Sequence, residues 1–208
     1  MRNFPNLIRS LYRGVMRHAG RLGAHLFLVE LGDSSPDIAM PQLAPGYTAT
    51  PVPLEQLRPW VDQDNGLSDA FLDGAAARGD RCVANFYNGA LVGYGFVTRT
   101  RAPVTEQIDV VIDDRLAYRY KGWTHPEHRR KHLSHARGRI NRRLFNLTAG
   151  QRMVSYVDSF NPTARQTHSD VHPIRLGIAG FVTLFGREYP FTGRIPRRYG
   201  FRLQRRDA

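Results

Sequence analysis

Cysteine occurs once in the 208 residues, at Cys82, so the chain can close no internal disulfide and offers no cysteine-based zinc site. A lone thiol fits a reducing compartment, and a cytoplasmic protein is expected. Lysine is almost as scarce: of 30 basic residues only Lys121 and Lys131 are not Arg. Acidic residues number 18, which leaves a net charge of +12. No run reaches the roughly 20 apolar residues of a membrane span. The longest, Leu176 to Gly186 (LGIAGFVTLFG), reads as a buried strand pair. The first residues lack a continuous apolar stretch and a small-residue cleavage site, so no secretory signal is expected. Neither a Walker loop nor a Gly-x-Gly-x-x-Gly fingerprint occurs.

What is present is the composition of a soluble globular domain, 41% hydrophobic and 23% charged. The charge lies in three blocks. Residues 1–29 carry five Arg and no acid, residues 30–127 carry 8 basic and 14 acidic side chains, and residues 128–208 carry 17 basic and 4 acidic. Arg is the side chain best shaped for bidentate contact with phosphate or carboxylate.

Near the N-terminus Phe4, Leu7, Ile8, Leu11, Tyr12, Val15 and Met16 recur at helical spacing beside a stripe of Arg9, Arg13, Arg17 and Arg21. This predicts a basic amphipathic helix over residues 4–21. It either packs on its own domain, the commoner fate of an apolar stripe, or contacts an anionic surface such as the inner membrane face, or a partner. A connector with three prolines, Gly32 to Gly46, follows, so residues 1–45 read as helix and linker and the compact domain is expected from 46 to 191.

Within that domain the periods alternate. Tyr47–Val52 reads as a strand, and Leu54–Val61 and Leu67–Arg78 as helices, with Ser68 or Asp69 near a cap. Arg81–Tyr87 and Ala90–Thr100 form a hairpin about Asn88-Gly89. Glu106–Ile112 and Leu116–Thr124 are further strands. A long helix from Leu133 to about Ala149 comes next, then a strand within Gln151–Ser159, a short helix from Pro162 to about His168, and β-like sequence over Ile178–Phe191. Residues 192–208 read as a basic, partly ordered tail. The order predicts an α+β fold whose mixed sheet begins antiparallel and turns parallel around the long helix.

At the junction Trp123-Thr124-His125-Pro126-Glu127-His128-Arg129-Arg130-Lys131-His132-Leu133-Ser134 a strand ends, the chain turns at Pro126, and three cations precede a helix N-terminus. Open N–H groups, the helix dipole and added cations together suit a pyrophosphate. His125, His128, His132 and His135 lie close in sequence, but no His-Glu-x-x-His pattern occurs, His125 and His128 straddle a turn, and the neighbouring cations oppose a metal. No metal is expected.

This arrangement resembles the GNAT superfamily of N-acetyltransferases. Arg129-Arg130-Lys131-His132-Leu133-Ser134 takes the place of that family's Gln/Arg-x-x-Gly-x-Gly/Ala loop, with His132 and Ser134 departing from the glycines. Asn88 to Tyr94 resembles the hairpin that precedes it. Val154-Ser155-Tyr156-Val157 with Asn161 and Ala164 resembles the strand and helix start that follow, and Leu176-Gly177 the closing signature. The interval from Asn161 to Gly177 is longer than in the family and contains Pro173. A His at the glycine position could fit in an ordinary helical conformation and add a donor with its ring, or could equally narrow the cofactor slot.

The resemblance implies a GNAT-like central sheet and acyl transfer from acetyl-CoA or another acyl-CoA to an amine of a small molecule or peptide. It places the diphosphate on Arg129, Arg130, Lys131, His132, Leu133 and Ser134, with Asn161 also toward the cofactor. The backbone N–H groups polarising the thioester fall near Trp123 and Thr124. The general acid, seven residues after Asn161, falls on His168. For the base, Glu106 and Asp109 lie on one predicted strand; three positions apart, they point to opposite faces, so only one can line a cleft. Two alternatives stand beside this reading: a nucleic-acid or anionic-surface binding module using the basic last third, and an inactive acyl-CoA-binding relative. No recognised nucleic-acid motif supports the first. Oligomeric state is not assigned.

Overall fold

Asn88 and Gly89 both adopt positive φ, 47° and 86°, the geometry of a two-residue turn that matches the twist of the strands it joins. In the computed structural model, which describes residues 22–32, 39–144, 151–159 and 173–206, this turn links β3 (Arg81–Tyr87) to β4 (Ala90–Thr98). The other strands are β1 (Leu22–Leu31), β2 (Tyr47–Val52), β5 (Arg101–Pro103), β6 (Ile108–Ile112), β7 (Leu116–Thr124), β8 (Arg152–Asp158), β9 (Ile174–Leu184), β10 (Arg187–Thr192) and β11 (Phe201–Arg205). The α-helices are α1 (Asp69–Ala77), α2 (Leu133–Leu144) and α3 (Arg194–Arg198). Two compact units divide these elements.

The first unit comprises Ser34–Arg101 and Asp113–Val154. Its strands, with β8 entering through its first residues Arg152, Met153 and Val154, follow the order β8-β7-β4-β3-β2. The pairs β2–β3, β3–β4 and β4–β7 are antiparallel. The pair β7–β8 is parallel through Leu116↔Arg152, Ala117↔Met153 and Tyr118↔Val154. This is the expected mixed sheet, antiparallel first and parallel at the long helix. Every residue of β4 after Ala90 is buried, as befits a strand with a neighbour on each side and a helix on each face. Toward one face Phe96 and Tyr120 meet Phe71 of α1 at ring separations of 4.9 and 6.2 Å. Toward the other, Gly93 and Gly95 lie against Arg137 of α2. Ser68 caps α1, its Oγ accepting from the Phe71 N–H at 3.2 Å, which leaves one fewer orphan donor. Leu54–Trp60 is a 3₁₀ helix rather than the expected α-helix, with Pro59 inside it; proline lacks the N–H that an α-helix interior needs.

The second unit comprises Met1–Asp33, Ala102–Ile112 and Ser155–Ala208. Here β9 pairs antiparallel with β1 from Leu22↔Leu184 to Leu31↔Ile174, and with β10. A Cβ on Gly180 would lie 2.1 Å from the His25 carbonyl oxygen, so only glycine lets the two backbones approach there. A second sheet has the order β11-β6-β5.

Several expectations change in this unit. Residues 22–31, left out of a domain beginning at Gly46, form β1. The run from Leu176 is not a strand pair but the greater part of the single strand β9, and Phe185 and Gly186, both at positive φ (49° and 80°), make the turn after it. Residues 192–206 of the expected tail carry regular structure: α3 and β11 lie there, and β11 buries Phe201 and Leu203 while Arg202 and Gln204 face out. The helices expected over residues 4–21 and from Pro162 to His168 lie outside the described residues.

Candidate functional site

The loop singled out in the sequence is built on the end of β7. Tyr94 of β4 pairs with Trp123 and Phe96 with Tyr120, so Lys121 and Gly122 together oppose Gly95. This is a β-bulge, which bends the strand and takes the extra residue out of the ladder. Lys121 sits in it at φ 46°. The ladder to β8 ends at Tyr118, and β7 runs on through Trp123 and Thr124. The His125 N–H then donates to the Val92 carbonyl at 2.9 Å. A 3₁₀ turn, Pro126–His128, closes with the His128 N–H on the His125 carbonyl at 3.0 Å. His128 Nδ1 lies 2.8 Å from Tyr47 Oη.

Beyond the turn the backbone alternates in hand. Arg129 is extended at φ −69°, ψ 162°, whereas Arg130 and His132 are left-handed at φ 63° and 55°. The His132 carbonyl accepts from the Ala136 N–H at 3.1 Å, so His132 opens α2. Arg129, Arg130, Lys131 and His132 are exposed. Leu133 is buried and anchors the helix start, and Ser134 is half-buried. Arg129 Nε donates back to the Thr124 carbonyl at 3.4 Å. Of the readings open for His132, the ordinary helical conformation is not the one it takes. It adopts the left-handed one that glycine tolerates best.

The turn also gathers His125, Glu127 and His128 instead of separating them: one nitrogen or oxygen from each lies within 4.8 Å of the others. His125 Nδ1 is buried without a hydrogen-bond partner.

Three residues here escaped the sequence reading. Arg137 of α2 is 6% exposed. Its Nη1 donates to Asn85 Oδ1 and its Nη2 to Thr124 Oγ1, the latter at 3.2 Å. Burial pulls its pKa down to about 10. Lys121 places Nζ 4.7 Å from the Phe71 ring centroid, and burial holds its pKa below the ordinary lysine value. Tyr94 Oη donates to the Asn65 carbonyl, and burial raises its phenol well above the usual range.

The catalytic candidates fare differently. Glu106 is exposed in a bend before β6 and is not on a strand. The bend is set by Thr105 Oγ1, which accepts the Gln107 and Ile108 N–H groups at 3.1 and 3.0 Å. The predicted opposite-face relation of Glu106 and Asp109 therefore does not apply. Asp109, on β6 and 7% exposed, is held by Arg206 Nε at 2.7 Å, so its carboxylate serves an ion pair. Both belong to the second unit, whereas the loop belongs to the first. Asn161 and His168 lie outside the described residues.

Comparison with known proteins gives no match to a protein-family model or to a curated protein. Solved structures do match. A tandem GNAT protein from the clavulanic acid biosynthesis pathway superposes with a TM-score of 0.56 at 17% identity over 87% of this chain and 59% of its own. A Drosophila protein from a structural genomics programme gives 0.56 at 11% identity over 89% and 58%. A GCN5-related N-acetyltransferase from Kribbella flavida gives 0.52 at 13% over 86% and 74%. The chain spans between 58% and 74% of the length of these proteins. Its fold is that of the GCN5-related N-acetyltransferases, an α+β fold with a mixed sheet and flanking helices. No described helix is long and apolar enough to cross a membrane.

Proposed function

We propose that this protein binds an acyl-CoA, with the diphosphate on residues 129–134, and transfers the acyl group to an amine. The observation that carries this reading is the left-handed backbone at Arg130 and His132 leading into α2. Left-handed backbone, a helix N-terminus and three cations occur together in this short stretch, a combination that favours a dianionic ligand. The end of the β7–β8 ladder at Tyr118 supports it further, since the part of β7 beyond it has amides to offer a thioester carbonyl. When bound, the acyl-CoA supplies the activated acyl group. The chain's own part is to hold the diphosphate and to orient the end of β7 beside it.

The test is calorimetry and thermal shift with CoA, acetyl-CoA and longer acyl-CoAs, followed by thiol release with a panel of amines. Micromolar binding with thiol release supports the transferase. Binding without thiol release for any amine points to an acyl-CoA-binding protein that no longer transfers. No binding of any CoA compound removes the reading.

A further inference from the structure

Arg137 is the least conventional residue of the first unit. Its guanidinium is buried in the interface between α2 and the sheet, and no described carboxylate pairs with it. Taking a cation out of water without a counter-ion is costly, and the sheet is shaped to accept it. A Cβ on Gly93 would lie 2.7 Å from Arg137 Nη1, and one on Gly95 3.4 Å from Nε. Two glycines spaced by two on one face of β4 thus leave a groove through which the side chain passes. At its end it bonds a residue on each neighbouring strand, Asn85 of β3 and Thr124 of β7. Thr124 is opposite Gly93 in the ladder and immediately precedes the turn into the cationic loop.

We propose that Arg137 is a positioning residue for the acyl-CoA loop: by holding the Thr124 hydroxyl it fixes the point at which β7 becomes the turn and loop of residues 125–132. This rests on the acyl-CoA reading for its functional consequence, but not for its structural one. An Arg in a helix interior face can be stabilised by any acceptor. Here one of its two acceptors is the last residue of the strand that delivers the ligand-facing segment. The bulge at Lys121 interrupts the β7–β4 ladder, which resumes at Trp123 and Thr124, so the fastening at Thr124 holds the last residue of the strand before the turn.

The experiment compares the parent protein with Thr124→Val, Thr124→Ser and Arg137→Met, reading the CoA dissociation constant, the melting temperature without ligand, and amide hydrogen exchange over residues 123–134. Thr124→Val keeps the shape and removes the acceptor. It is expected to weaken CoA binding about tenfold and to speed exchange in that segment several-fold, as loss of a hydrogen bond to a charged group implies. Thr124→Ser restores the acceptor and recovers most of both. Should Arg137→Met fail to fold, the Thr124 pair carries the test alone. A Thr124→Val protein whose CoA affinity and exchange over 123–134 match the parent overturns the proposal, even if its melting temperature drops. If the parent binds no CoA, the exchange comparison still decides whether Arg137 positions the loop, while the acyl-CoA reading itself is lost.

Discussion

Tyr47 Oη and His128 Nδ1 meet at 2.8 Å, which ties the first residue of β2 to the last residue of the turn that opens the cationic loop. The two rings also share contacts with Tyr87, at 4.6 and 5.2 Å between centroids. Tyr47→Phe keeps the ring and deletes the hydrogen bond. The expected loss is about 1 kcal/mol, or roughly 2–4 °C in melting temperature for a chain of this size. An unchanged melt in scanning calorimetry would show that water replaces the contact at no cost.

His132→Gly is expected to stabilise the protein. A left-handed non-glycine residue costs about 1–2 kcal/mol, less the greater freedom that glycine has in the unfolded chain. A net gain of up to about 1 kcal/mol is the outcome sought by chemical denaturation. His132→Val should do the opposite, because a β-branched side chain tolerates that φ poorly. A destabilised glycine variant would mean that the imidazole itself holds the loop.

Arg129→Ala should raise the dissociation constant for acetyl-CoA roughly tenfold, the weight of one charge-assisted phosphate contact. The loss should shrink as salt is raised, since exposed charges are screened over about a Debye length. Equal affinity for variant and parent at low salt would move the diphosphate elsewhere.

The Asp109–Arg206 pair is expected to contribute to stability. A double-mutant cycle of Asp109→Asn and Arg206→Gln is expected to show a coupling of about 0.5–1 kcal/mol in unfolding free energy. Strict additivity would free Asp109 for another role.

Cys82 makes alkaline stability predictable. Its burial pushes the thiol from 9.0 up to about 12, so the folded state keeps a proton that the unfolded state gives up. This contribution is whole below pH 9 and is lost as pH rises toward 12, with a slope of at most about 1.4 kcal/mol per pH unit. Melting curves from pH 8 to 10.5 should fall less steeply for Cys82→Ala, and the native thiol should resist thiol reagents until the protein unfolds.

The first unit was largely readable from residue order. Asn88-Gly89 between two alternating runs specifies the hairpin, Ser68 specifies the start of α1, and Pro126 followed by three cations specifies the turn before α2. Legibility failed where a distant partner decides. Asp109 looks like an available carboxylate until Arg206, 97 residues later, is placed beside it. Arg137 lies in a helix crowded with arginines and reads as a solvated residue; the signal for its burial is the Gly93 and Gly95 pair on another element. In β11 the alternation of Phe201 and Leu203 was present but was outweighed by the arginines around it. β1 follows directly on a helical stripe, so its change of period passes unnoticed in a window that spans both.

The bulge of β7 and the loop beyond it have a practical consequence. Lys121 and Lys131, the only two lysines of the 208 residues, flank the segment from the bulge to the start of α2. Amine-reactive chemistry, including acylation by a thioester, therefore finds its side-chain targets at this one junction. A mass spectrum of the modified protein reads out the state of that junction, and protection of either lysine by a ligand would be visible without any engineered label.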